Sequence, residues 1–114
     1  MKQITPAVLA AWLADPARDK PLLLDVREPW EFQTCHIAGS QLVPMGEVPV
    51  RASELAERLR EPTGAGEVVV ICHHGGRSMQ VALFLEKQGF SGVSNLAGGV
   101  DAWARTVDPA MPVY

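Results

Sequence analysis

Apolar residues are spaced along this chain in two rhythms. Leu22, Leu23, Leu24, Asp25 and Val26 form one nearly unbroken run, and Val68, Val69, Val70 and Ile71 form a second. Short continuous runs of this kind, β-branched throughout in the second, predict strands buried on both faces. Elsewhere apolar residues recur at helical spacing. Val8, Leu9, Trp12 and Leu13 share one face of a helix that Thr5 caps, Pro6 opens and Asp15-Pro16 ends. Asp19 to Pro21 is a polar turn. Ser53 is a candidate cap for a helix reaching Arg60, with Leu55 and Leu59 one turn apart. The most regular helix runs from Ser78 to Gln88. Ser78, Val81, Ala82 and Leu85 share its face, Met79 and Leu83 lie beside it, and Gly89 stands where a helix stops. Trp30 to Cys35 reads as a short helical turn, Gly92 to Asn95 as a short strand and Asp101 to Thr106 as a last helix. Gly64 and Gly66 punctuate the approach to the second apolar run.

Strands alternating with helices predict an α/β fold on a parallel sheet with right-handed crossovers. The 114 residues suit one domain, 1–114, without repeats or a dividing linker. Hydrophobic residues make up 47% of the chain, enough for a core without staples. A formal net charge of −3 gives no general attraction for nucleic acid or an anionic membrane, so any anion site must be local. No apolar stretch approaches the ~20 residues of a membrane span, and Met1 to Pro6 carries no signal-peptide pattern. The expectation is a cytoplasmic protein. Its two cysteines, Cys35 and Cys72, make no disulfide framework.

Ligands of open parallel sheets bind beyond the carboxyl ends of the strands. Asp25-Val26-Arg27 closes one strand and Cys72 follows the other. After Cys72 come His73, His74, Gly75 and Gly76, and Arg77-Ser78 then starts a helix. Glycines let so tight a loop turn successive N–H groups inward as an anion nest. The helix head adds free N–H groups and the positive end of its dipole, and Arg77 adds a charge. A thiolate or a persulfide anion on Cys72 is the species such donors suit. An isolated cysteine at a strand end is more often a small buried hydrophobe. The Gly-Gly-Arg-Ser context reverses that reading here.

Cys72-His73-His74-Gly75-Gly76-Arg77-Ser78 resembles the active-site loop of the rhodanese family. Asp25-Val26-Arg27-Glu28, Glu31-Phe32 and His36-Ile37-Ala38-Gly39-Ser40 resemble that family's upstream signature, and Asn95 to Trp103 resembles its closing one. The matches occur in order from about Leu22 to Trp103. Ser40 and Cys35 depart from it, standing where the family often has Ala and Gly. The resemblance implies a rhodanese-like fold, a five-stranded parallel sheet flanked by helices. It implies that Cys72 carries sulfur as a persulfide in a cradle formed by His73 to Arg77. The implied activity moves sulfane sulfur from thiosulfate or a persulfide donor to a thiophilic acceptor, cyanide in vitro. No cofactor is implied, and a protein donor or acceptor is a further expected partner.

Other residues are given structural readings. Asp25 and Arg27 are read as a pair tying the strand end to its neighbouring loop, with Arg27 a candidate second contact around the site. Of His73 and His74, at least one faces solvent, and their spacing with Cys72 does not make a metal site. His36 is read as a satisfied structural residue, Cys35 as an inert thiol, and Trp12, Trp30 and Trp103 as packing residues. Met45 and Arg51 lie in a connection that can border a pocket. Gly98-Gly99 lacks the spacing of a dinucleotide loop. Two rival functions remain. One is a cysteine-dependent phosphatase, whose loop resembles Cys, five residues and Arg; here four residues separate Cys72 from Arg77. The other is a module that only binds proteins. The ending Val107-Asp108-Pro109 to Pro112-Val113-Tyr114 is similar to the tail of rhodanese domains attached to adenylating enzymes of sulfur-carrier pathways.

Overall fold

The two apolar runs lie side by side at the centre of the sheet. In the computed structural model, which describes residues 1–60 and 66–114, β2 (Leu22–Asp25) pairs in parallel with β4 (Val68–Ile71), Leu22 opposite Val68 and Asp25 opposite Ile71. Each strand sends alternate side chains to opposite faces. Leu24, Val68 and Val70 therefore join one core, and Leu23, Val69 and Ile71 the other. An unbroken apolar run is what burial on both faces requires.

Three further strands complete a five-stranded parallel sheet in the order β1-β5-β4-β2-β3. They are β1 (Lys2–Ile4), β3 (Gln41–Leu42) and β5 (Val93–Leu96). The edge strands β1 and β3 escape the sequence pattern, being only three and two residues long. The first core is closed by α3 (Val48–Leu59) and α4 (Gly76–Lys87), through Leu55, Val81, Ala82 and Leu85. The second is closed by α1 (Pro6–Ala14) and α5 (Gly99–Thr106), through Leu9, Trp12, Val100 and Trp103. A short α2 (Pro29–Thr34) follows β2, and one 3₁₀ turn (Met45–Glu47) leads into α3. No helix among the described residues is long and apolar enough to cross a membrane.

Several sequence boundaries shift. Ser53 does not cap α3, which begins five residues earlier at Val48 with Pro49 in its first turn; proline supplies the preset φ there. The helices α4 and α5 begin at Gly76 and Gly99, ahead of Ser78 and Asp101, because each is entered through a left-handed glycine, Gly75 and Gly98. β5 runs one residue later than read. Thr5 does cap α1, accepting the Val8 N–H at 3.2 Å. Val8 itself is 55% exposed, at the rim of a buried face that Leu9 and Trp12 occupy. Trp30 is 61% exposed and meets the Tyr114 ring edge-on. Gly64 lies outside the described residues.

Leu85 is wholly buried between α4 and the sheet. Leu85→Ala should cost about 2–5 kcal/mol in urea unfolding. A loss below about 1 kcal/mol, less than such cavities cost, would show that α4 is not seated on the sheet as described.

Candidate active site

Chain geometry after β4 places the sulfur. Cys72 leaves the strand, and Gly75, at φ +107°, turns the chain into α4. The Gly75 N–H donates to Cys72 Sγ at 3.1 Å and the Ser78 hydroxyl reaches the same sulfur at 3.2 Å. Met79 is the first residue of α4 whose N–H finds a helical acceptor, Gly75 O at 3.2 Å. Among the described residues, the N–H groups of Gly76, Arg77 and Ser78 have no acceptor, as the head of a helix requires. Cys72 itself is 1% exposed and borders the core of aliphatic side chains. Its sulfur therefore faces polar donors on the loop side only.

The loop is fixed from behind by α5. Val100 N–H donates to Cys72 O at 2.9 Å and Asp101 N–H to His73 O at 3.1 Å. This approach needs Gly99. It has φ +61°, and a Cβ there would stand 2.3 Å from Cys72 O and 2.4 Å from His73 O. Gly98-Gly99, no dinucleotide loop, is thus a seat for the cysteine loop.

Arg77 does not reach the sulfur. Its guanidinium is bidentate on Glu31, at 2.8 and 2.9 Å, and its charge acts on Cys72 through space. The sequence reading placed this side chain in the cradle. A forked guanidinium prefers a carboxylate it can grip with two bonds, and α2 supplies one. Glu31 also accepts the Glu28 N–H at 3.0 Å and the Tyr114 hydroxyl at 2.8 Å. The Arg77 hydrogen bonds are the main reason its carboxyl lies at about 2, against the desolvation that opposes them. Tyr114 in turn accepts from Arg27 at 2.8 Å, and burial, the leading cause, pushes its phenol up to about 12. Arg27 is fully buried and joins Asp25 in a 2.7 Å ion pair while donating to Cys35 O at 2.6 Å. The Asp25–Arg27 pair thus ties the end of β2 to the loop after α2. Sequence reasoning quoted Glu31 only as part of a signature and missed Tyr114. No local pattern marks a residue that acts 83 positions away.

The two histidines differ in exposure although their rings lie 3.9 Å apart. His74 is exposed. His73 lies under the Tyr114 ring, stacked at 3.8 Å and 5°, and burial, followed by the neighbouring His74, pushes its imidazole below the usual histidine range. α5 brings Asp101 alongside, so donor atoms of His73, His74 and Asp101 lie within 4.8 Å of one another. These are residues that could hold a cation. Asp101 Oδ2 is already engaged by Arg105 at 3.0 Å. His36 is stacked on Phe32 with its Nδ1 2.8 Å from Phe32 O, a structural role. Met45 lines an apolar cleft of about 260 Å³ with Pro49 and Phe84, whereas Arg51 pairs with Glu54 on the surface.

An open parallel sheet whose central strand is followed by a cysteine, met by donors at the head of the next helix, defines an α/β domain with its candidate site beyond the carboxyl ends of the strands. The chain belongs to the rhodanese-like family, whose domain model matches residues 6–106. It is 35% identical over 105 residues to a sulfurtransferase of Allochromatium vinosum, covering 92% of this chain and 90% of that one. It is 36% identical over 93 residues to the adenylyltransferase and sulfurtransferase MOCS3-1 of Zea mays, covering 82% of this chain and 20% of that one. A crystal structure of a rhodanese-like domain protein from Staphylococcus aureus matches with a TM-score of 0.78 at 26% identity, over 100% of this chain and 99% of that one. The chain spans only 19% to 38% of the length of four curated relatives.

Two outcomes follow from this geometry. Because the carboxyl of Glu31 is depressed from 4.5 to about 2, its stabilisation is complete above pH 4.5 and is lost as pH falls towards 2. Urea midpoints measured from pH 7 to 2 should show this acid loss in the wild type, and Glu31→Gln should remove that component. Gly99→Ala should displace the loop and lower Cys72 reactivity towards iodoacetamide at least tenfold, while far-UV circular dichroism stays native. Unchanged reactivity would show that α5 does not seat the loop.

Proposed function

We propose that this chain is a sulfurtransferase in which Cys72 carries the transferred sulfur as a persulfide. The observation that carries the reading is the convergence of the Gly75 N–H and the Ser78 hydroxyl on Cys72 Sγ, beside the unpaired N–H groups of Gly76, Arg77 and Ser78. Cys72 thiolate attacks the outer sulfur of thiosulfate, an S–S bond forms to Sγ, and sulfite leaves with the electron pair of the bond that breaks. The new outer sulfur bears the negative charge and faces the head of α4, where free N–H groups and the dipole hold it. A thiophile, cyanide in vitro, then attacks that sulfur. The Cys72 S–S bond breaks, thiocyanate departs and the thiolate is restored. Ionised sulfur needs no general base.

A persulfide donor enters the same cycle, with a thiolate leaving in place of sulfite. A protein as donor or acceptor is supported by the relatives that carry this domain within far longer chains, and by the exposed Trp30 and Val113. Both cysteines are free thiols, the state kept by a reducing compartment such as the cytoplasm. Phosphatase chemistry has less support. The four-residue loop is short for a phosphate, and the Arg77 guanidinium that would grip one is held by Glu31.

Intact-mass spectrometry after thiosulfate treatment should show one sulfur atom added to the wild type and none to Cys72→Ser. Arg77→Ala, which frees Glu31 and removes a positive charge that acts only through space, should lower kcat/KM for thiosulfate by about 2- to 5-fold, as expected for a screened charge worth at most ~1 kcal/mol. Sulfur added equally to Cys72→Ser would sink the proposal.

A further inference from the structure

We propose that Asn95 is a positioning residue of the sulfur site: its side-chain carbonyl and Cys72 compete for the single hydrogen bond that the Ser78 hydroxyl can donate, and the hydroxyl turns from one to the other as sulfur is gained and released. The inference rests on the reading of Cys72 as sulfur carrier. Asn95, on β5, is 2% exposed and Ser78 is fully buried. The Ser78 hydroxyl lies 3.2 Å from Cys72 Sγ and also within hydrogen-bond reach of Asn95 Oδ1. A hydroxyl has one proton to donate, so it can serve only one of the two acceptors at a time.

The direction of the Asn95 amide is fixed by its other end. Nδ2 donates to Gly75 O at 3.2 Å and to Gln3 Oε1 at 3.0 Å. Turning the amide over would set its oxygen against the Gly75 carbonyl, acceptor to acceptor. Oδ1 therefore stays towards Ser78 and keeps its claim on that proton. The same amide holds the carbonyl of Gly75, the residue whose own N–H is the other donor to the sulfur.

Each state of Cys72 settles the competition differently. As a thiol, Cys72 donates to Ser78 and Ser78 donates to Asn95, so every group is satisfied. As a bare thiolate, Sγ accepts the Ser78 hydrogen bond and leaves the buried Oδ1 without a donor, a destabilising loss. As a persulfide, the charge moves to the outer sulfur, and the Ser78 hydroxyl turns from Sγ, now bonded on both sides, to donate to Asn95. Loading forms the S–S bond as the hydroxyl swings to Asn95. Discharge breaks that bond, returns its electron pair to Sγ and brings the hydroxyl back. No proton leaves Ser78 in either step. Asn95 thus raises the energy of the bare thiolate alone and drives it towards taking up sulfur.

Alkylation of Cys72 by iodoacetamide against pH reads this directly. The charged and titratable groups about the loop are Arg77 with Glu31, Tyr114, His73, His74, and Asp101 with Arg105, and the substitutions alter none of them. Asn95→Leu should move the midpoint down by about one pH unit, the size expected for losing one hydrogen-bond competitor. Ser78→Ala should move it up, and in that background Asn95→Leu should move it no further. An upward shift in Asn95→Leu, or an equal downward shift without Ser78, overturns the proposal.

A wild-type measurement stands beside these variants should Asn95→Leu fail to fold. Asn95 is the only asparagine in the chain, so selective ¹³C labelling gives one side-chain carbonyl resonance. It should move when Cys72 ionises and return when thiosulfate loads the sulfur. A resonance indifferent to ionisation also overturns the proposal. If mass spectrometry shows no sulfur loading at all, the carrier reading fails by itself, and the ionisation and alkylation results still decide the role of Asn95.

Discussion

A trans peptide group points its carbonyl and its N–H in opposite directions, and the cysteine loop is shaped by where its carbonyls go. Those of Cys72 and His73 are drawn outward to the N–H groups of Val100 and Asp101 at the head of α5. That bonding pins the first two peptide groups of the loop against α5. Gly75 then adds its N–H directly at 3.1 Å. The contact at Gly99 is therefore the constraint behind the rest. With any side chain at that position α5 would stand off from both carbonyls, and the loop would lose the bonds that hold it.

Full charges play a different part. Arg27 is neutralised by Asp25, Arg77 by Glu31 and Arg105 by Asp101. What meets the sulfur directly is dipolar: an amide, a hydroxyl and the head of a helix. Charges around the loop act mainly as clamps. Glu31 grips Arg77 from α2, Tyr114 bridges Glu31 and Arg27, and its ring covers His73. The upstream signature, the cysteine loop and residue 114 are thereby one assembly, although they are scattered through the sequence. A chain with net charge −3 can hold an anion this way without a basic surface.

The sheet centre was legible because burial on both faces leaves an unmistakable mark in Leu22–Val26 and Val68–Ile71. The Cys72 loop was legible because Gly75 and Gly76 have little other reason to stand before Arg77 and Ser78. Edge strands were not, since Lys2 to Ile4 and Gln41-Leu42 are too short to show alternation. The start of α3 was misplaced because Ser53 looks like a cap, while Pro49 four residues earlier is the residue that opens the helix. The role given to Arg77 failed for a deeper reason. Charge complementarity shows that a guanidinium seeks an anion, but which anion it finds depends on tertiary neighbours, here a carboxylate 46 positions away. Asn95 and Tyr114 carry the same lesson, because their partners come from β1, α2 and α4.

The persulfide cycle proposed for Cys72 would ask the site to tolerate the negative charge in two places in turn, on Sγ before loading and on the outer sulfur after it. A fixed cation at Sγ would stabilise the first state and resist the second. Dipoles that can be redirected avoid this conflict. The Gly75 N–H is fixed on Sγ, the free N–H groups at the head of α4 are available to the outer atom, and the Ser78 hydroxyl has Asn95 as a second acceptor. The pairing of Arg77 with Glu31 fits that demand, since it keeps the strongest charge in the loop from settling on either sulfur.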